Sequence, residues 1–536
     1  MCAASVPPTA LAQRSRRGAA RPTAAGAQGR AAVRPEWRAA LGRISAESMR
    51  GHLSFIASDA LEGRATPSRG LDLAAEYIAA QFRRAGLEPA GDAGGYFQTA
   101  EWELAGRDSE GFEMRLADGP RSLSVGAAQV SFGVSAGNFN VWPPERELAL
   151  PDAGLFKVVY GDAAQRAALT REQLAGRVVV TELPDFRLAQ GPRRLALARE
   201  VNEFMGRMHA LGAPLVVSFD RAGTRGDAAP RRLINPEAGA HVSPFGIHPT
   251  APLLVVHGAE GAQFFDSLPA GATAARLTLR ARAPARDPVK LRNVAGLLRG
   301  SDPKLRDTYV IVSAHYDHVG VRAGCAAGDC IYNGANDDGS GTVAVIELAA
   351  ALSRLERKPR RSILFLAFFG EEMGLLGSRH YGRRPLVPLA KTVAQVNLEQ
   401  VGRTDDSEGP QVGTAAVTGF DYSDVGEALR RAAEAAGVRL YKHPTKSDAY
   451  FSRSDNQALA DLGVPAHTVG VAFDFPDYHG VGDHWEKVDY ANMERVVRAV
   501  ALGLLSLADD PKAPRWDESN PRAAGYAEAW KRLHGQ

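Results

Sequence analysis

From about residue 291 to about 508, short and continuously apolar runs alternate with stretches of helical periodicity, beginning with LRNVAGLLRG and TYVIVSAHYDHVG. Apolar runs of strand length with no polar alternation are buried on both faces, and helices are what covers such faces. The pattern therefore specifies an α/β fold, a mixed sheet covered by helices.

Several of these runs end in groups that carry chemistry. FLAFFGEEMGLLGS turns at Gly370 and presents two adjacent carboxylates, Glu371 and Glu372. An acidic pair at a helix start complements the helix dipole, so the pair alone decides nothing. VIVSAHYDHVG places His315 and Asp317 two apart. On extended backbone that spacing puts both side chains on one face, where Asp317 can accept the second ring N–H of His315 and fix its tautomer. NGANDDGSG carries Asp337 and Asp338 in a turn before a helix starting near Thr342, and Asp337 is placed to bridge two cations with its two oxygens. VAQVNLEQVGR adds Glu399, and FDFPDYHGVGDHWEKVDY adds His479 with Asp483 four residues on. Singly each is a weak signal. Together, two histidines and three carboxylates after apolar strands make the ligand set of a paired zinc site, because imidazole and carboxylate suit Zn²⁺. His318, His467, His484, Tyr478 and Phe473 read as structural or substrate-contacting neighbours.

The remaining chain divides by texture. Residues 1–35 hold six arginines and no acid among Ala, Gly and Pro, the composition of a disordered or export-signal remnant. Residues 36–129 form the N-terminal part of the α/β domain. There, LDLAAEYIAAQFRRAGL sets Leu71, Ala74, Ile78, Ala79 and Phe82 at helical spacing and stops at Gly86. Residues 130–285 change to short β-like runs between Gly, Pro and Asp, interrupted by the helix EFMGRMHALG, and read as an inserted, mainly β domain. Residues 286–510 complete the α/β domain, and 511–536 form a polar, Pro-containing tail.

With 64 basic and 61 acidic residues the chain has no general basic excess for nucleic acid. The best candidate for a membrane helix, VVRAVALGLLSLA, is too short for one and carries Arg498. Three cysteines exclude a disulfide framework, although Cys325 and Cys330 in GCAAGDC could close a small disulfide in an oxidising compartment.

The segments AHYDH, NGANDDGSG, FFGEEMGLLGS, VNLEQVGR, SDNQALADLGVPA and YHGVGDHWEK, in this order, resemble the M28 zinc metallopeptidases, specifically bacterial aminopeptidase-like members with an inserted protease-associated (PA) domain. The resemblance covers about 45–508, with 130–285 as the PA-like part. It implies a zinc exopeptidase-like catalytic domain with two Zn²⁺ per chain. His315, Asp337 and Glu399 would hold one ion, and Asp337, Glu372 and His479 the other, or a close permutation. Glu371 would be the general base, and Asp317 the support of His315. A peptide would be the substrate and the location extracytoplasmic, periplasmic or secreted. The family most often has Asp where Glu399 stands, and a His where Asn456 follows the SD pair. An aminopeptidase leads the reading. A carboxypeptidase or dipeptidase on the same fold, a noncatalytic binding protein, and a one-zinc cyclase are the alternatives.

Overall fold

The computed structural model describes residues 33–106, 110–136, 139–141, 147–184, 191–221, 232–235, 251–322 and 328–536. Two large sheets organise them. The first has ten strands. At its centre Tyr309–His315, Ser362–Phe368, Thr392–Leu398 and Ala466–Gly470 run parallel, so all four end at the same edge. Antiparallel neighbours flank them: Ala285–Leu298 pairs with Ser362–Phe368, and Thr414–Val417 with Ala466–Gly470.

Both faces of this sheet are covered, which is why its strands carry no polar alternation. Val310, Val312 and Ala314 pack with the helices Ala46–Ile56, Arg69–Ala85, Gly341–Leu352 and Tyr490–Asp509. Ile311, Leu364 and Leu366 point the other way, toward Tyr381, Leu459 and Ala527. Each such Ile or Leu, with no exposed surface, contributes on the order of 2–3 kcal/mol of transfer free energy. The helix Arg69–Ala85 shows how local signals set its limits. Ser68 Oγ accepts the Leu71 N–H at 3.0 Å, and Gly86 closes the other end at φ 82°, a conformation that suits glycine. Its face of Leu71, Ala74, Ile78, Ala79 and Phe82 is buried, as the periodicity predicts.

The eight-stranded second sheet leaves the first after Phe97–Gly106 and returns at Ala285–Leu298, two strands that pair with one another. Its inner strands Leu148–Lys157, Val178–Thr181, Val216–Asp220 and Leu253–His257 are parallel, and helices such as Gly191–Ala210 and Ala259–Ser267 accompany them. The sequence reading begins the insertion at 130, but the hairpin Glu113–Asp118 and Arg121–Val125 already belongs to this sheet, paired with Gly271–Ala281. The partner lies far along the chain, so the texture around 113–125 does not reveal it.

The C-terminal tail is also corrected. Trp516, Ala523 and Ala527 are buried in the first sheet's second core, Trp516 Nε1 donates to Gly463 O at 2.8 Å, and Ala524–Leu533 is a helix. Only a narrow stripe is buried, which leaves the segment polar in composition. No helix among the described residues is long and apolar enough to cross a membrane. Cys330 is disulfide-bonded. Cys325 and residues 1–32, most of the predicted N-terminal remnant, lie outside the described residues.

Candidate metal centre

The parallel strands deliver their chemistry to one edge. His315 ends Tyr309–His315, Glu371 and Glu372 follow Ser362–Phe368, and Glu399 follows Thr392–Leu398. Asp337 stands in the turn before the helix Gly341–Leu352, and His479 comes from the loop after Ala466–Gly470. Carboxyl ends of parallel strands are where α/β sheets gather functional groups, because loops there are free to vary over a rigid frame.

The donor atoms fall into two groups that share Asp337. His315, Asp337 and Glu399 offer donors all within 4.8 Å of one another, and so do His318, Asp337, Glu372 and His479. His315 Nε2 lies 3.4 Å from Asp337 Oδ1, while His479 Nε2 lies 3.1 Å from Asp337 Oδ2 and 3.0 Å from Glu372 Oε1. His318 is the member that sequence reasoning left as structural. Its Nδ1 is 2.9 Å from Glu372 Oε1, and its ring stands nearly perpendicular to that of His479. Its position three residues after His315 was the available signal.

Glu371 belongs to neither group. Its Oε2 sits 3.9 Å from His315 Nε2, and its backbone N–H donates to Asp317 Oδ1 at 3.0 Å. Asp317 therefore does more than the predicted support of His315. His315 Nδ1 is 3.5 Å from Asp317 Oδ1 and closer, at 3.2 Å, to the Asp317 carbonyl, while the carboxylate also accepts from Thr66 Oγ1.

Carboxylates outside the two groups hold the segments in register. Asp338 accepts the N–H groups of His315, Gly341 and Gln400, tying two strand ends to the helix start. Gly341 is required there: a Cβ would lie 2.5 Å from the Asp338 carboxylate. Asp483 accepts from Asn336 N and Asp337 N. Beneath the site Arg64, completely buried, donates to the carbonyls of Tyr316, Ile56, Asn333 and Gly334. Arg64, Gln400 and His479 all adopt positive φ, backbone strain that only the surrounding contacts sustain.

Burial opposes charge throughout, and each group's neighbours decide the outcome. Glu372 is held at about 2 despite burial and the repulsion of Asp337, because the imidazoles of His318 and His479 lie against its carboxylate. Asp337 is likewise driven well below the usual carboxylate range against burial by His315 and His479. His479, opposed by burial, is raised to about 10 by Asp337 and Glu372. His315 rises well above the imidazole range because Glu371, Asp317 and Asp337 outweigh burial. Glu399 goes the other way, pushed up to about 7 by burial, with Asp337 adding repulsion. Glu371 is raised well above its ordinary value by burial and by Glu399 and Glu372.

A divalent cation fits these residues. His315 Nε2, both ring nitrogens of His318, Glu372 Oε1 and Glu399 Oε2 are buried atoms without a hydrogen-bond partner. Leaving such atoms unpaired costs free energy, and a mixed imidazole and carboxylate set suits zinc.

Comparison with known proteins agrees. The description "Peptidase family M28" matches residues 293–503. A probable zinc metalloprotease of Pyrenophora teres is 34% identical over 122 residues, 23% of this chain and 25% of the relative. Aminopeptidase YwaD of Bacillus subtilis is 28% identical over 236 residues, 42% of this chain and 46% of the relative. The chain thus spans between a quarter and a half of the length of these two curated relatives. Among solved structures, an aminopeptidase from Aneurinibacillus shares the fold with a TM-score of 0.52 at 18% identity, covering 90% of this chain and 97% of that one. Over residues 293–503 the chain is thus similar to peptidase family M28.

Proposed function

We propose that this protein is a zinc-dependent aminopeptidase with two zinc ions per chain, acting on peptides outside the cytoplasm. The observation that carries the reading is a pair of donor groups sharing Asp337, with Glu371 beside them and outside both. His315, Asp337 and Glu399 would hold one ion. Asp337, Glu372 and His479 would hold the other, with His318 within reach of it.

When bound, the zinc ions would polarise the scissile carbonyl and acidify the attacking water. The protein's own groups do the rest. Glu371 Oε2 takes the proton of the attacking water and returns it to the leaving amine nitrogen. A carboxyl raised by burial holds a proton more readily than a free one, which suits it to receive the proton and pass it on. Asp317 fixes Glu371 through its backbone N–H and orients His315 through the ring Nδ1. The substrate's free amino terminus is drawn to a cluster of carboxylates, which favours removal of N-terminal residues. The inserted sheet is read as PA-like and as limiting access to the centre.

Elemental analysis of the purified protein, with hydrolysis of aminoacyl p-nitroanilides before and after chelation, tests the reading. Two zinc ions per chain and chelator-sensitive release from unblocked substrates are expected. Equal hydrolysis of N-acetylated and free peptides would replace it with a carboxypeptidase, loss of hydrolysis on blocking the C-terminus of a dipeptide would replace it with a dipeptidase, and one zinc without hydrolysis would remove it.

A further inference from the structure

Arg453 stands beside this centre without a part in it so far. It directly precedes Ser454, whose hydroxyl hydrogen-bonds to Glu399 and accepts from Asn397 Nδ2 at 2.8 Å. The side chain is exposed, and its Cζ lies 4.4 Å from the centroid of the Tyr450 ring. That ring is a fixed platform. Tyr450 Oη donates to Asp474 Oδ1 at 2.6 Å, Lys446 Nζ reaches Asp474 Oδ2 at 3.2 Å, and the Phe473 ring packs at 5.1 Å. The same loop continues through Phe475 and Tyr478 to His479, on whose ring Tyr478 stacks at 4.1 Å.

The other cations of this region have carboxylate partners. Arg403, over the Phe475 ring, is paired with Asp405 and Asp477, and Lys446 with Asp406, Glu408 and Asp474. Among the described residues Arg453 has no carboxylate within ion-pair distance. As an arginine it is a guanidinium at every relevant pH. A guanidinium stacked on an anchored aromatic keeps its planar fork free for a bidentate partner, and most of its ordering cost is already met.

We propose that Arg453 is a specificity residue that pairs with a carboxylate carried by the substrate; this rests on the peptidase reading of the centre. The carboxylate has two possible sources, the acidic side chain of an N-terminal Glu or Asp and the free α-carboxylate of a dipeptide. Zinc-loaded wild type and Arg453→Gln are compared by kcat/KM on glutamyl and leucyl p-nitroanilide, and on Leu-Gly and its C-terminal amide. A fall of about 30-fold in the glutamyl-to-leucyl ratio assigns the side chain, and the same fall in the ratio of dipeptide to amide assigns the α-carboxylate, the size expected of a charge-assisted bidentate pair. Both ratios within about threefold of wild type would overturn the proposal, the factor one neutral hydrogen bond could account for.

Calorimetric binding of free glutamate and of leucinamide to the same two proteins gives an answer without turnover. Glutamate is expected to bind the variant about tenfold more weakly relative to leucinamide. Equal effects on both ligands would overturn the proposal. If wild type hydrolyses nothing, the aminopeptidase reading fails, while this binding comparison still decides Arg453.

Discussion

The two sheets solve the same packing problem and differ in what they bury. The inserted sheet has apolar cores on its two faces, one built around Val178, Val180, Val217 and Leu277 and the other around Val179, Val216, Met205 and Met208. The first sheet buries comparable apolar faces and adds, at one edge, His315, Asp317, His318, Asp337, Asp338, Asp455 and Asp483. Buried ionisable groups persist only where hydrogen bonds and opposite charges, or a cation, satisfy them. The long-range hydrogen bonds to Asp338, Asp483 and Asp317 supply part of that satisfaction here. Polar substitutions at that edge should therefore act on chemistry and metal content, and apolar substitutions in the insertion on stability.

The largest test of this contrast is Glu371→Gln, expected to lower kcat by about 10³-fold, within the range for a general base, while elemental analysis finds the zinc content kept. Loss of zinc together with activity would place Glu371 among the ligands instead. Next, Leu277→Ala in the insertion should cost about 4 kcal/mol of stability, judged by urea denaturation, because the side chain is fully buried. Zinc content per folded chain should stay as in wild type, and its loss would break the contrast.

A third effect separates burial from charge pairing within the first sheet. His467 is fully buried and lowered to about 4 by that burial, with Ser423 and the Thr418 carbonyl as its partners. Between about pH 6.5 and pH 4 the unfolded chain binds the proton that the folded chain refuses, so stability falls as pH falls through that window, by about 3 kcal/mol in all. His467→Gln should flatten this part of the pH–stability curve, and an unchanged curve would assign the acid sensitivity to other groups. Smallest, Ser68→Ala removes the cap of Arg69–Ala85 and should cost about 1 kcal/mol by thermal denaturation.

Much of this was legible along the chain wherever the signal was local. The buried stripe of Arg69–Ala85, the apolar runs of the central strands and the donors that follow them were all readable, since burial pattern and residue type are written in neighbouring positions. His318 was not, because its value depends on Glu372 and His479 arriving from other loops. No neighbouring residue marks Arg64, and only the convergence of four carbonyls on its guanidinium makes it a strut. The hairpin Glu113–Asp118 and Arg121–Val125 reads along the chain as part of the first unit because its partner strand, Gly271–Ala281, lies beyond most of the insertion.

By itself the sequence determined the alternation of buried strands and covering helices, the helix end at Gly86, and the supply of imidazoles and carboxylates after apolar runs. These follow from backbone preference and burial within a few residues. Only the tertiary structure decided that Asp337 is shared between two donor groups, that Glu371 stays outside both, and that Arg453 stands over Tyr450 without a carboxylate partner among the described residues. The parallel register of the strands and the long-range hydrogen bonds of Asp338 and Asp483 fix those relations, and neither is encoded in any short stretch of chain.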